Sequence, residues 1–185
     1  MPAIRLPGQF DLLSLHRHNP KRYPLLLQST AVEARRGRYD MLLALPQDGL
    51  QLARDGVTRD LDGELVPGRF DQALDAAWRA AAVAQPGTSD LPFAGGWALY
   101  FSYEFAGVIE PSLRLPPAPE PLPVALALRC PAAVIVDRID TGTWLVAEPG
   151  CEPMLETLRA DLEDCQRAHA GQPVVPAVSG LDEAP

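Results

Sequence analysis

The chain is poor in the features that mark most cofactor sites. Cysteine is scarce: Cys130, Cys151 and Cys165 are the only three in 185 residues, and no CxxC occurs. An odd count at wide spacing excludes a disulfide framework and the paired thiols of a structural zinc site. It leaves three buried or incidental thiols. Basic residues are also short, at 16 against 24 acidic ones, for a net charge of −8. A chain that neutralises phosphates carries the opposite bias, so no nucleic-acid partner is expected. There is no run of about 18 apolar residues, so no membrane-spanning helix and no membrane partner are expected. In the first twenty residues, MPAIRLPGQFDLLSLHRHNP, polar side chains interrupt every apolar stretch. That leaves neither the apolar region nor the cleavage site of a signal peptide, and a cytoplasmic location is expected. Neither GxxxxGK[ST] nor GxGxxG is found. Gly95-Gly96 therefore reads as a place where the backbone bends or passes close to a neighbour, not as a phosphate loop.

Proline, by contrast, is abundant, at 20 residues. It is concentrated in LRLPPAPEPLPV (113–124) and GQPVVPAVSGLDEAP (171–185), neither of which can hold a regular helix. The last stretch has no core-forming pattern and reads as a linker. The chain thus divides into a domain over 1–170 and a Pro-rich linker over 171–185. Within the domain, Gln9–His18 predicts a short helix that stops before Asn19-Pro20. YPLLLQST and YDMLLALP predict buried strands, separated by the polar loop VEARRGR. GLQLARDG, VTRDL and GELVPG predict short strands, with Asp55-Gly56 and Asp62-Gly63 supplying tight turns.

The period then changes. Arg69–Ala84 is Ala-rich and places Phe70, Leu74, Ala77, Trp78 and Ala81 on one stripe, an amphipathic helix. LPFAGGWALYFSYEFAGVIEP predicts an aromatic strand, and VALALRCPAAVIVD with TWLVAEP predicts a hairpin turning at Asp140–Gly142. CEPMLETLRADLEDCQRAHAG is a helix with Met154, Leu155, Leu158, Leu162 and Cys165 on one side, and Gly171 is placed to cap it. Runs of strands with helices between and beyond them predict an α+β fold of antiparallel sheets packed as a sandwich with flanking helices. Leu25, Leu26, Leu42, Leu43, Trp78, Val134, Ile135 and Leu158 are its expected buried residues.

Isolated polar clusters carry little chemistry. Asp60, Asp62 and Glu64 lack the register of a calcium loop, since Gly63 sits fourth from Asp60 where the loop needs its glycine sixth. His16 and His18, two apart on a helix, point in different directions and have no third ligand nearby. No nucleophile–base pair can be proposed from linear spacing, so no catalytic residue and no metal ligand is assigned. Arg35, Arg36 and Arg38 form one basic spot on an acidic chain. Taken alone, they fit either a solvated loop or a receptor for a carboxylate, a phosphate or an acidic partner.

Two segments carry a family resemblance. Tyr23–Pro46, YPLLLQSTAVEARRGRYDMLLALP, has an apolar strand ending in a polar residue and Ser, an Arg-aromatic pair, and a strand ending in Pro. Leu91–Gly107, LPFAGGWALYFSYEFAG, has Pro-Phe and Gly-Gly leading into an aromatic strand. Together they resemble the N-terminal domain shared by anthranilate synthase component I and aminodeoxychorismate synthase component I, over nearly the whole chain to about residue 170. Anthranilate synthases tend to have Leu-Leu-Glu-Ser followed by Arg-Tyr-Ser. Leu27-Gln28-Ser29 and Arg38-Tyr39-Asp40 depart from that and look more like aminodeoxychorismate synthase.

The resemblance implies the N-terminal part of the large-subunit fold of chorismate-using synthases. It also implies an enzyme component that is inactive alone, because the chorismate-binding catalytic domain, with its magnesium, is absent from these residues. The implied role is in chorismate amination toward 4-aminobenzoate and folate, and no cofactor is implied for this chain. The implied partners are that catalytic domain, in the same or a separate chain, and a glutamine amidotransferase subunit. The implied small ligand is tryptophan, at Ser29, Arg36, Gly37, Arg38 and Tyr39. The alternatives are the corresponding domain of anthranilate synthase, with a feedback site for tryptophan biosynthesis, or a free-standing amino-acid-binding or interaction module.

Overall fold

The computed structural model describes residues 2–30, 37–81, 90–116 and 121–170. The first strand, β1 (Ala3–Pro7), is followed by helix α1 (Leu12–His18). Asp11 caps α1 by accepting hydrogen bonds from the Leu13 and Ser14 amides, which relieves two of the donors that a helix start leaves unpaired. Strands β2 (Leu25–Leu27), β3 (Tyr39–Ala44), β4 (Asp48–Leu52) and β5 (Thr58–Asp60) precede helix α2 (Phe70–Ala80). Strand β6 (Gly96–Phe101) leads into a 3-10 turn at Tyr103–Phe105 and a one-turn helix α3 (Ala106–Ile109). Strands β7 (Ala125–Cys130), β8 (Ala132–Asp137) and β9 (Gly142–Ala147) and helix α4 (Pro153–Ala170) complete the domain.

The strands form two antiparallel sheets, in the orders β1-β9-β8-β3-β2 and β5-β4-β7-β6. β7 and β8 follow one another with only Pro131 between them, yet they lie in different sheets. That proline, which cannot donate to a ladder, marks where the chain crosses from the second sheet to the first.

Side chains alternate across each strand, and the first sheet uses both faces. Leu42, Val134, Leu145 and Ala147 meet Leu12, Leu15, Leu155, Leu158 and Leu162 of α1 and α4. Leu43, Ala133, Ile135 and Val146 face the other way, against Ala98 and Cys130 of the second sheet. This double burial is why the strands of the first sheet read as continuous apolar runs rather than alternating ones. The outer face of the second sheet buries Leu50, Leu52, Ala125 and Ala127 beneath Phe70 of α2 and Phe105. The molecule is therefore α+β, a sandwich of two antiparallel sheets with α1 and α4 outside one and α2 outside the other. Tyr23 ties the α1–β2 connection to α4: it is fully buried, and its hydroxyl donates to Asp161 at 2.6 Å beside the Arg22–Asp161 ion pair.

Several local expectations change. The helix expected over Arg69–Ala84 is regular over Phe70–Ala80, and residues 82–84 lie outside the described set. Trp78, expected in the core, is 58% exposed. The reason is geometric: α2 packs over β4, and the far side of its apolar stripe extends toward β6 with no described residue covering Trp78. The aromatic strand expected in LPFAGGWALYFSYEFAGVIEP runs over Gly96–Phe101, and the chain then coils through Tyr103–Ile109. Leu25 and Leu26 are half-buried because β2 is an edge strand, whereas Leu42, Leu43, Val134, Ile135 and Leu158 are buried as expected. The linker expected over 171–185 lies outside the described residues.

Leu43 sits between the sheets at 4% exposure. Leu43→Ala is expected to destabilise the domain by about 2–5 kcal/mol, the range for a Leu-to-Ala cavity that neighbours fill only partly. Denaturant titration reads this directly, and a loss under about 0.5 kcal/mol would mean that the sheets are not packed through this residue.

Candidate functional site

β2 and β3 pair antiparallel, with Leu27 opposite Met41. Carrying that register outward brings Ser29 toward Tyr39 and Asp40. The Ser29 amide approaches the Asp40 carboxylate at 3.4 Å, and the Arg138 guanidinium donates to the Ser29 carbonyl at 2.5 Å. Arg138 also lies 3.6 Å from Asp40. Gly37 adopts φ +70°, a left-handed turn conformation that glycine enters without strain, just ahead of the strand.

On the other side β3 pairs with β8, placing Tyr39 opposite Asp137. Arg38 grips Asp137 with two guanidinium nitrogens, at 3.0 and 2.6 Å. The Asp137 carboxylate, almost wholly buried, also accepts from the Ile139 and Asp140 amides. The Arg38 hydrogen bonds, opposed by burial and helped by the backbone donors, hold its pKa below the ordinary value. The Arg38 guanidinium lies 4.8 Å over the Tyr39 ring, a cation–π contact. The Tyr39 hydroxyl donates to the Asp90 carbonyl at 3.5 Å, and desolvation raises its pKa.

Four of the five residues expected to form a pocket, Ser29, Gly37, Arg38 and Tyr39, thus share one end of the β2–β3–β8 ladder. Arg36 lies outside the described residues. Three partners were not expected at this site from the sequence: Asp40, Asp137 and Arg138. Asp40 and Asp137 each place a charge directly next to an apolar run, which is the signal that could have found them, and Arg138 follows Asp137 in the chain. Among the described residues two arginines and two aspartates pair with one another here. Arg38 in particular is committed to Asp137.

One consequence concerns pH. Because the folded pKa of Asp137 is depressed, its contribution to stability is complete above its unfolded pKa and is lost as pH falls through the folded one. Arg38→Ala removes the largest cause of that depression. Its melting-temperature deficit against wild type is expected to be a few degrees near neutral pH and to shrink as acid protonates Asp137. A deficit that does not change with pH would mean that Arg38 acts through packing alone.

A second polar cluster sits where the sheets join. Arg129, on β7, is paired with Glu148, directly after β9, and both side chains are buried. Arg129 also donates to the Gly96 carbonyl at 3.1 Å. A Cβ at Gly95 would come within 3.0 Å of three Glu148 side-chain atoms, so the close approach expected of Gly95-Gly96 is made against Glu148. Beside it, burial pushes the Cys130 thiol up to about 11.

The smaller candidates resolve into local structure. Asp60 accepts from the Asp62 and Glu64 amides, as a turn does, and His16 pairs through Nδ1 with the Tyr23 carbonyl at 2.7 Å. Among the described residues no group of three or more His, Cys, Asp and Glu side chains could hold a metal ion, and no helix is long and apolar enough to cross a membrane.

A scan against sequence models of protein families gives no match, and a search of curated protein sequences gives none. Comparison with solved structures does. The chain is similar to anthranilate synthase component I from Streptococcus pneumoniae TIGR4, with a TM-score of 0.53 and 18% identity over 79% of this chain. The likeness is one of fold. It takes in 32% of the other chain, so this chain spans about a third of the length of the enzyme it matches.

Proposed function

We propose that this chain is the N-terminal, non-catalytic domain of a chorismate-using synthase of the aminodeoxychorismate synthase component I kind. In that role it supports a chorismate-binding half and receives no substrate itself. The observation that carries the reading is the fold shared with anthranilate synthase component I over most of this chain and only a third of the other. Within the shared fold, the two motif segments meet around one residue. Tyr39 belongs to the first segment, donates to Asp90, and packs in the same buried cluster as Leu91 and Phe93 of the second.

The chemistry of the described residues agrees with a supporting role. Three of the acids and bases described above are taken up by structural partners: Asp137 by Arg38, Glu148 by Arg129, His16 by a backbone carbonyl. Amination of chorismate calls for general acid–base groups and magnesium, which this reading assigns to the other half. The chain alone, given chorismate, magnesium and ammonia, is therefore expected to form neither aminodeoxychorismate nor anthranilate. Chromatography against a no-protein control checks this, and either product would overturn the reading.

The preference for aminodeoxychorismate synthase rests on Gln28 and Asp40. A second reading, the domain of an anthranilate synthase, is favoured by the solved relative, which is itself an anthranilate synthase component I. Product analysis with the chorismate-binding half and a glutaminase subunit present separates them: aminodeoxychorismate supports the first, anthranilate the second.

In either reading, Ser29, Arg36, Gly37, Arg38 and Tyr39 are proposed to contribute to a tryptophan pocket, with Tyr39 as an apolar wall for the indole. Arg38 then acts by holding the Tyr39 ring. Calorimetry on the assembled subunit is expected to show tryptophan binding about tenfold weaker in Arg38→Ala and Ser29→Ala. Unchanged affinity in both would return this end of the ladder to a purely structural role.

A further inference from the structure

β2 is a short edge strand, and its last ladder pair with β3 is Leu27 opposite Met41. Ser29 lies past that pair, where the end of an edge strand ordinarily frays. It is braced from outside its own strand. The Arg138 guanidinium donates to the Ser29 carbonyl at 2.5 Å, and the Ser29 amide approaches the Asp40 carboxylate at 3.4 Å.

Arg138 reaches Ser29 from the far side of β3. It follows β8, Ser29 follows β2, and β3 runs between those two strands. Neighbouring strands lie about 4.8 Å apart, so the side chain spans about 10 Å of sheet. Arginine is one of the few side chains long enough to do so while ending in several donors. On the way it passes within 3.6 Å of Asp40 on β3. The two side chains are 27% and 13% exposed, so their attraction is screened less than that of a surface pair. The Arg138 amide donates to the Arg38 carbonyl at 2.8 Å, which fixes the base of the side chain against the start of β3.

The residue before it secures the other half of the same site. Asp137 grips Arg38 through two guanidinium nitrogens, and Arg38 lies over the Tyr39 ring. Consecutive residues at the end of β8 thus hold Ser29 on one hand and the Arg38–Tyr39 pair on the other. Neither Asp137 nor Arg138 lies in Tyr23–Pro46 or Leu91–Gly107, the segments that carry the family resemblance.

We infer that Arg138 is a positioning residue for the proposed tryptophan pocket: with Asp137, it sets Ser29 and the Arg38–Tyr39 pair at a fixed separation before a ligand arrives. This inference rests on the pocket proposed above. A receptor whose groups must first be ordered loses affinity to that ordering, and a site ordered in advance avoids the loss. Arg138 needs no contact with the ligand to have this effect, because it acts through the Ser29 backbone.

The test joins hydrogen exchange at the Ser29 amide in the full chain to calorimetry of tryptophan on the assembled subunit. Arg138→Met keeps the aliphatic stem and removes the guanidinium, and Arg138→Lys keeps a long cationic donor. In wild type the Ser29 amide is expected to be protected without tryptophan. Arg138→Met is expected to speed its exchange by about tenfold or more and to leave exchange in β4 unchanged, since the opening is local. The same variant is expected to bind tryptophan about tenfold more weakly, and Arg138→Lys to recover most of both effects. Melting curves verify folding. Should Arg138→Met not fold, Arg138→Gln, too short to cross β3, carries the same two readouts. Wild-type affinity together with wild-type exchange at Ser29 would overturn the inference and leave the tryptophan pocket in place. Weaker binding with unchanged exchange at Ser29 would also overturn it, making Arg138 a direct ligand contact. A wild-type subunit that binds no tryptophan would overturn the pocket and this inference with it.

Discussion

Glu148→Ala is expected to destabilise the domain by about 3–5 kcal/mol, the cost of stranding one member of a buried ion pair. The Arg129 and Glu148 side chains are 10% and 7% exposed, so neither can turn to water once the other is removed. Among the described residues Arg129 then keeps its bond to the Gly96 carbonyl, which satisfies part of one guanidinium. The pair also spans the crossing between the sheets. Arg129 lies on β7 in one and Glu148 just past β9 in the other, and the Glu148 amide donates to the Pro131 carbonyl at the switch itself. Glu148→Gln keeps an acceptor for the guanidinium and is expected to lose less. Arg129→Met with Glu148→Leu, which removes both charges and keeps volume, is expected to recover most of the loss, since an apolar replacement of a buried pair is often neutral. Denaturant titration of the four proteins distinguishes these outcomes. A loss below about 1 kcal/mol for Glu148→Ala would mean that water reaches Arg129 and that the pair does not join the sheets.

The ease with which parts of this fold could be read in the sequence follows from where each element's partners lie. α4 was legible because its stripe, Leu155, Leu158 and Leu162, repeats at helical spacing and is buried as that spacing demands. The β8–β9 hairpin was legible because its turn is local. β1 was not: its apolar residues Ile4 and Leu6 alternate with Arg5 and border Pro7, and it pairs with β9, some 140 residues away. Trp78 failed for a different reason. Helical periodicity identifies which face is apolar, not whether something covers it, and among the described residues α2 is covered on its β4 side. The same split runs through the candidate site. That Ser29 faces the Gly37–Tyr39 turn follows from two neighbouring antiparallel strands. That Arg38 is held by Asp137, and Ser29 by Arg138, depends on the β3–β8 pairing across about a hundred residues, which no local pattern encodes. Arg129 left a clue that went unused: a charge inside the apolar strand ALALRC must find a partner or an exit.

Gly95→Ala is expected to cost roughly 2–6 kcal/mol, and most of the interest lies in how that cost divides. One part is backbone. Gly95 sits at φ +100°, where an L side chain is strained by about 1–3 kcal/mol wherever the space allows it. The other part is steric. The new methyl would meet the Glu148 side chain closer than 3.0 Å. Glu148 cannot swing aside without releasing Arg129, so the collision is of the overpacking kind, about 1–3 kcal/mol. The two parts separate in a double-mutant cycle. In a Glu148→Ala background the collision is gone and the backbone strain remains, so Gly95→Ala should there cost only about 1–3 kcal/mol. The cycle should close with a coupling of about 1–3 kcal/mol, well outside the additivity of independent sites. Equal costs in both backgrounds would show that Glu148 is not what requires a glycine, leaving φ alone to explain the first glycine of the pair. A coupling of the expected sign would tie the Gly-Gly of the second sequence segment to the buried arginine and glutamate that join the two sheets.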